Sequence, residues 1–267
     1  MADSYLTLLD TGHLSTDEAT KKADAAAQKA LELDETLAEA HHSAFHQFNW
    51  PATEMEYQRA LELNPNCASA HFYYANYLSA VGRTEEAIAE ARAVLLLDPV
   101  SLVAGANLSN ILYKAHRYEE SLEQALHVLE IDPTFYRAYE DVGRAYEQQG
   151  KLPEALAAFR KLVASVGRRP NHWAHLAHAH GLAGERRKAA KLLKELEELS
   201  KKQHVAPHTF ALVFAGLGDK EQTLAWLEKA YEARDEMLPF LRVNPRLAFL
   251  HGDSRFQDLV RRMKFPE

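Results

Sequence analysis

LEIDPTFYRAYEDVGRAYEQQGKLPEALAAFRKL, residues 129–162, holds in one period the signals from which the architecture of this chain can be read. Asp132-Pro133 stops a helix, because proline has no amide to donate and disfavours helical geometry in the residue before it. Gly150-Lys151 breaks the run again near its middle. Between the breaks, Tyr139, Val142, Gly143, Tyr146, Ala155 and Phe159 recur at helical spacing. Two helices of about a dozen residues each follow.

The same boundary recurs outward in both directions, as LLLDP at 95–99, LELNP at 61–65 and LELDE at 31–35. The intervals from 61 to 95 and from 95 to 129 are both 34 residues. Thr36, Asn66, Ser101 and Thr134 stand where a following helix takes its N-cap. Second breakers appear at Gly82-Arg83, His116-Arg117, Gly184-Glu185 and Gly218-Asp219. Small residues pair where the two helices of a hairpin must cross closely: Ala75/Ala87, Ser109/Ser121, Gly143/Ala155 and Ala177/Ala189. A lone hairpin cannot bury its apolar face, so neighbours stack into a solenoid. The predicted fold is an all-α superhelix of about seven helical hairpins with a C-terminal capping helix. One solenoid spans 1–267, with two irregular repeats in 1–65, four regular ones in 66–199, a seventh in 200–235 and a cap in 236–267.

These residues resemble the tetratricopeptide repeat family, the sixth unit adding Trp173, Leu176, Ala177, Ala189 and Leu193 at matching positions. The edges depart from the pattern. The second unit loses about a turn around Phe48–Pro51 but keeps Thr53, Tyr57 and Ala60, and the first keeps Ala23, Ala27 and Ala30 behind a Ser15–Glu18 capping box. At the far end Phe256, Leu259, Val260 and Met263 mark an amphipathic helix. TLAEAHHSAF, NWPATEMEYQRALELNPN, LAWLEKAYEARDE and GDSRFQDLVRRM look like the C-terminal repeat regions of bacterial signalling proteins. In those proteins the repeats follow a winged-helix, serine/threonine kinase or adenylate cyclase domain. The resemblance implies a regulatory, partner-binding role.

In the family the first helix of each hairpin lines the concave surface. Four positions of that helix share a face, separated by three or four residues. They hold Ser69, Phe72, Asn76 and Ser79; Val103, Ala106, Asn110 and Tyr113; Arg137, Glu140, Arg144 and Glu147; and Asn171, Ala174, His178 and Gly181. The candidate groove comprises Phe72, Asn76, Asn110, Tyr113, Arg137, Glu140, Arg144, Glu147 and His178, with Asn76, Asn110, Arg144 and His178 as a polar ladder for an extended peptide. Some relatives clamp the terminal carboxylates of chaperone tails. The matching residues here are Phe72, Asn76, Asn107, Arg137 and Asp141, and an anionic Asp141 in place of arginine disfavours that ligand.

Composition narrows the rest. A net charge of −7 argues against nucleic acid as a partner. Acidic against basic residues number 16 to 6 in 1–100, 9 to 9 in 101–170 and 13 to 16 in 171–267, so head-to-tail self-association is a competing use of the array. No apolar run suits a membrane span, and the first 30 residues lack a secretory pattern. With Cys67 the single cysteine, a cytoplasmic location is expected. Of the 14 histidines, His42/His46 and His172/His175/His178 have spacings that invite a metal, but His41, His71 and His180 fall on core aromatic positions of the repeat. Packing accounts for them, and no metal or cofactor is assigned. No nucleotide-binding or metalloprotease motif occurs, so the chain is expected not to be an enzyme. The Asn107-Leu-Ser109 sequon lies inside a helix and is read as chance.

Overall fold

The computed structural model describes residues 49–167 and 169–266, together with the isolated residues Lys22, Ala25 and Lys29. The expectations for the first repeat, Thr36, His41, His42 and His46 therefore lie outside the described residues. Within them the chain forms twelve α-helices and two 3-10 helices, with no strand. After α1 (Trp50–Leu63) come five hairpins: α2 (Ala68–Ala80) with α3 (Thr84–Leu97), α4 (Leu102–Lys114) with α5 (Tyr118–Ile131), α6 (Tyr136–Gln148) with α7 (Leu152–Val166), α8 (Pro170–Leu182) with α9 (Arg186–Ser200), and α10 (Pro207–Gly216) with α11 (Lys220–Glu232). No helix among the described residues is long and apolar enough to cross a membrane.

The expected breakers turn the chain. Gly82, Gly150, Gly184 and Gly218 have φ between 71° and 78°, and His116 takes the same left-handed turn at 61°. The expected N-caps hold only in part. Ser101 caps α4 by accepting from the Ala104 amide, but Cys67 and Phe135, rather than Asn66 and Thr134, precede α2 and α6. The cause is the residue before each proline. Each helix starts four residues after it, at Ala68, Leu102 and Tyr136, which puts Ser101 at the cap but leaves Asn66 and Thr134 one residue early, where their amides donate to the side chains of Asn64 and Asp132.

The paired small residues are where hairpins close. Ala75, Ala87, Ala155, Ala177 and Ala189 are sealed from solvent, and Ser109 and Ser121 each donate to the other's carbonyl, at 2.7 and 2.8 Å. In the first three hairpins each second helix packs on the hairpin that follows, but α10 lies mainly on α8 rather than on α9. Two glycines permit this. A Cβ on Gly181 would meet Gly216 backbone at 2.4 Å, and one on Gly216 would meet His178 backbone at 2.5 Å.

That crossing redirects the rest of the chain. Asp235, buried, accepts from the His208 and Met237 amides at 3.0 Å each and from His208 Nδ1 at 2.7 Å, and so fixes the exit from α11. Two 3-10 turns, Leu238–Val243 and Pro245–Leu250, then lead to α12 (Ser254–Arg262). As expected, α12 covers the last hairpin, burying Phe256 and Leu259 against Leu224 and Leu227. Beyond that expectation, the segment reaches the start of the array. Trp50 Nε1 donates to the Met263 carbonyl at 2.8 Å, Trp50 stacks on Phe265 at 4.7 Å, and Phe240 joins the core of Tyr74, Tyr77, Leu108 and Leu112. The first described helix and the last described residues are in contact, so the array closes on itself.

The tightest hairpin offers a check on this packing. A methyl on Gly143 would sit 2.5 Å from Phe159, which is fully buried, so Gly143→Ala is expected to lose about 1–3 kcal/mol in urea unfolding by overpacking. An unchanged midpoint would contradict the close crossing of α6 and α7.

Candidate functional site

The first helices α2, α4, α6, α8 and α10 form the wall of a cavity of about 580 Å³, and the 3-10 turns after α11 complete it. Exposure falls along the inner faces of α4 and α6. In α4 it runs from Val103, 47% exposed, through half-buried Asn110 to Tyr113 at 3%. In α6 it runs from exposed Arg137 through half-buried Glu140 and Arg144 to buried Glu147. The concave face is therefore a cup, open where the first helices begin and blind where they end.

Phe72, Asn76, Asn110, Tyr113, Arg137, Glu140 and Arg144 all line this cavity, as the shared helix face predicts. Glu147 and His178 do not, which corrects their assignment to an open groove. Arg246, from the second 3-10 turn, donates from Nε to Glu147 Oε2 at 2.8 Å, and His178 Nδ1 donates to Glu147 Oε1 at 3.0 Å. Both positions are sealed by the chain's own C-terminal segment. Ser79 is buried as well, and Gly181 faces Gly216 rather than solvent. Asn76 spends one donor on the Phe72 carbonyl at 2.8 Å, so the ladder is less free than its sequence suggests.

Sequence reasoning passed over Arg246, His172, His175 and Lys114 as parts of this site. Arg246 donates to His175 Nδ1 at 2.6 Å, and His175 Nε2 lies 3.1 Å from Glu140, which pairs with Arg144. Two arginines, two carboxylates and two neutral imidazoles thus alternate in one buried chain with no net charge. Burial alone would raise the Glu147 carboxyl, but Arg246 and His178 hold it down at about 2. Burial, aided by neighbouring arginines, lowers His172 to about 4 and His175 well below the usual imidazole range. Burial also lowers His178, against the pull of Glu147. The signal available in the sequence was the pair of charges, Arg242 and Arg246, inside the otherwise apolar run LPFLRVNPRLAFL at 238–250.

Toward the middle of the wall, burial pushes Asp141 up to about 8 and Lys114 down to about 7, the latter with help from Arg144. Burial disfavours the charged form of Asp141 and Arg144 lies 3.6 Å from it, so the repulsion expected of an anion there is weakened. Among the described residues no group of three or more His, Cys, Asp or Glu is placed to hold a metal ion, and His42 and His46 lie outside them. Cys67 packs between Ala60 and Ala70.

Comparison with known families agrees with this geometry. The tetratricopeptide repeat models match residues 56–89 and 107–171. These are tetratricopeptide repeats. Among solved structures, a tetratricopeptide repeat protein from Parabacteroides merdae ATCC 43184 is similar over 98% of this chain and 96% of its own, with a TM-score of 0.64 at 13% identity. PilW, a type IV pilus biogenesis factor, gives 0.59 at 16% identity over 76% and 93%. PilF from Pseudomonas aeruginosa gives 0.54 at 18% identity over 90% and 99%. At these identities the likeness is one of fold. A search of curated proteins finds no match. Proteins built from such repeats are generally interaction modules without enzymatic activity.

The shifted acid gives a pH prediction. A carboxyl whose folded pKa is raised binds more protons in the folded state, so it costs stability progressively as pH rises from about 4 toward 8. Asp141→Asn removes that slope. Urea unfolding is expected to show the variant more stable than the parent at pH 8 and nearly equal at pH 4, and equal stability at both pH values would contradict a raised pKa for the buried acid.

Proposed function

We propose that the cup is a docking surface for a protein or peptide partner that enters by the open rim, in the regulatory part of a bacterial signalling protein acting in the cytoplasm. The observation that carries this reading is the wall itself. Asn107 Nδ2, Asn110 Oδ1, Tyr113 OH and His172 Nδ1 are buried without hydrogen-bond partners and line one cavity beside the apolar faces of Phe72 and Tyr136. Polar atoms so placed cost stability unless something pairs with them. The signalling context rests on the four sequence phrases resembling regulator repeat regions.

Phe72 and Arg137 line the cup on α2 and α6, outside the hydrogen-bonded set of Glu147, Arg246, His175 and His178. Phe72→Ala with Arg137→Ala is expected to weaken partner capture more than about tenfold while helical circular dichroism is unchanged. Undiminished capture contradicts the cup as the docking surface. A second reading, self-association, is favoured by an exposed apolar ridge in which Leu96 is 84% and Val100 67% exposed, beside Leu97. Light scattering on the same samples separates the two, since a monomer at every concentration excludes the ridge as a self-contact.

A further inference from the structure

The blind end of the cup has a chemistry of its own. Lys114, the last residue of α4, holds Nζ 3.4 Å above the Phe240 ring, and no carboxylate lies within 4 Å of it among the described residues. A half-buried ammonium whose nearest carboxylate, Asp141, acts on it only from beyond ion-pair distance gives up hydration and receives mainly the ring quadrupole in return. Asn107, Asn110 and Lys114 fall at i, i+3 and i+7 on one face of α4, and two of them, with Tyr113, carry the unpartnered polar atoms already named. Tyr113 is almost wholly enclosed, with the Arg144 guanidinium 5.9 Å from its ring. An all-apolar set would hold α4 here at lower cost, so the cluster is better explained by what it binds.

The geometry also limits the guest. The 3-10 turns close the floor, so a peptide cannot run through and whatever enters must end there. One ammonium with an amide and a hydroxyl donor matches a single charge spread over two oxygens; a phosphate dianion would call for more cations and donors. Ala106, Met237 and Phe240 give the surroundings apolar surface, with Asp141 and Asp235 elsewhere in the lining, and the volume of the whole cup, about 580 Å³, lies within the usual range for small-molecule pockets.

We propose that the blind end of the cup binds a small organic acid, its carboxylate seated against Lys114, Asn107 and Tyr113 and its apolar body lying along Ala106, Met237 and Phe240. Of the five positions that match the clamp for peptide tails, only Asn107 takes part. The proposal rests on the cup being the binding surface, but it is tested without the partner. The free acid and a peptide C-terminus share this chemistry, and the experiment distinguishes them.

Calorimetric titration of the full chain uses phenylacetate, octanoate and the tripeptide Ala-Ala-Phe, each beside its methyl ester. At least one acid is expected to saturate at one per chain, with its ester weaker by about tenfold or more. Saturation by phenylacetate or octanoate identifies a free acid as sufficient; saturation by the tripeptide alone identifies a chain terminus. Lys114→Met is expected to weaken the acid by at least about tenfold and to raise the melting temperature of the ligand-free chain, an opposite pair of effects that a purely structural lysine would not give. No saturation by any of the three, equal binding of acid and ester, or unchanged binding by Lys114→Met overturns the proposal. Capture of a protein partner that depends on Phe72 and Arg137 would persist in that event, leaving the docking surface in place.

Discussion

A carboxylate buried on the last turn of α6 cannot stay ionised without a cation, and the chain supplies one from 99 residues further on. Glu147 and Arg246 are both nearly sealed from water, and each would be a heavy liability alone. Their pairing ties the C-terminal segment to the middle of the repeat array. His178 and His175 extend the same contact to α8, and Glu140 with Arg144 carries it up the wall. The cup, its closed floor and the enclosed face of α4 all depend on that segment lying where Arg246 holds it. Cations there also suit the partial negative charge at the C-terminal ends of the wall helices.

Closure changes what a repeat array can recognise. An open groove offers its length to an extended chain and reads side chains in series. A cup with one mouth accepts an end, a loop tip or a small molecule. The change is made by two glycines and one turn: Gly181 and Gly216 let α8 and α10 meet backbone to backbone, and Asp235 with His208 aims the next residues inward. The same pair sets a pH sensitivity in the exit turn. Burial opposes protonation of His208, but Asp235 raises its pKa overall, so the charged pair contributes below the usual imidazole pKa and is lost as pH rises through the raised value.

The repeats were legible because their signals are local. Proline after Asp132, glycine at position 150 and apolar residues at helical spacing each act within one turn of chain, and the small-residue pairs repeat the message in every hairpin. Seven of the nine groove residues therefore line one cavity as the shared face implies. Glu147 and His178 were misread because a helix face shows which residues point inward, not what later covers them. Their partner is far away in sequence, inside an apolar run that contains no repeat signal. Lys114 was missed for a related reason: as the last residue of α4 it looks like a solvated helix terminus until Phe240 is placed against it.

A double-mutant cycle on Glu147 and Arg246, followed by urea unfolding at neutral pH, tests the closure most directly. Arg246→Met alone is expected to cost about 3–5 kcal/mol, because it strands a buried carboxylate, and Glu147→Gln with Arg246→Met should recover a large part of that loss. Costs that simply add, with Arg246→Met alone below about 1 kcal/mol, would place Arg246 in solvent and leave the concave face an open groove.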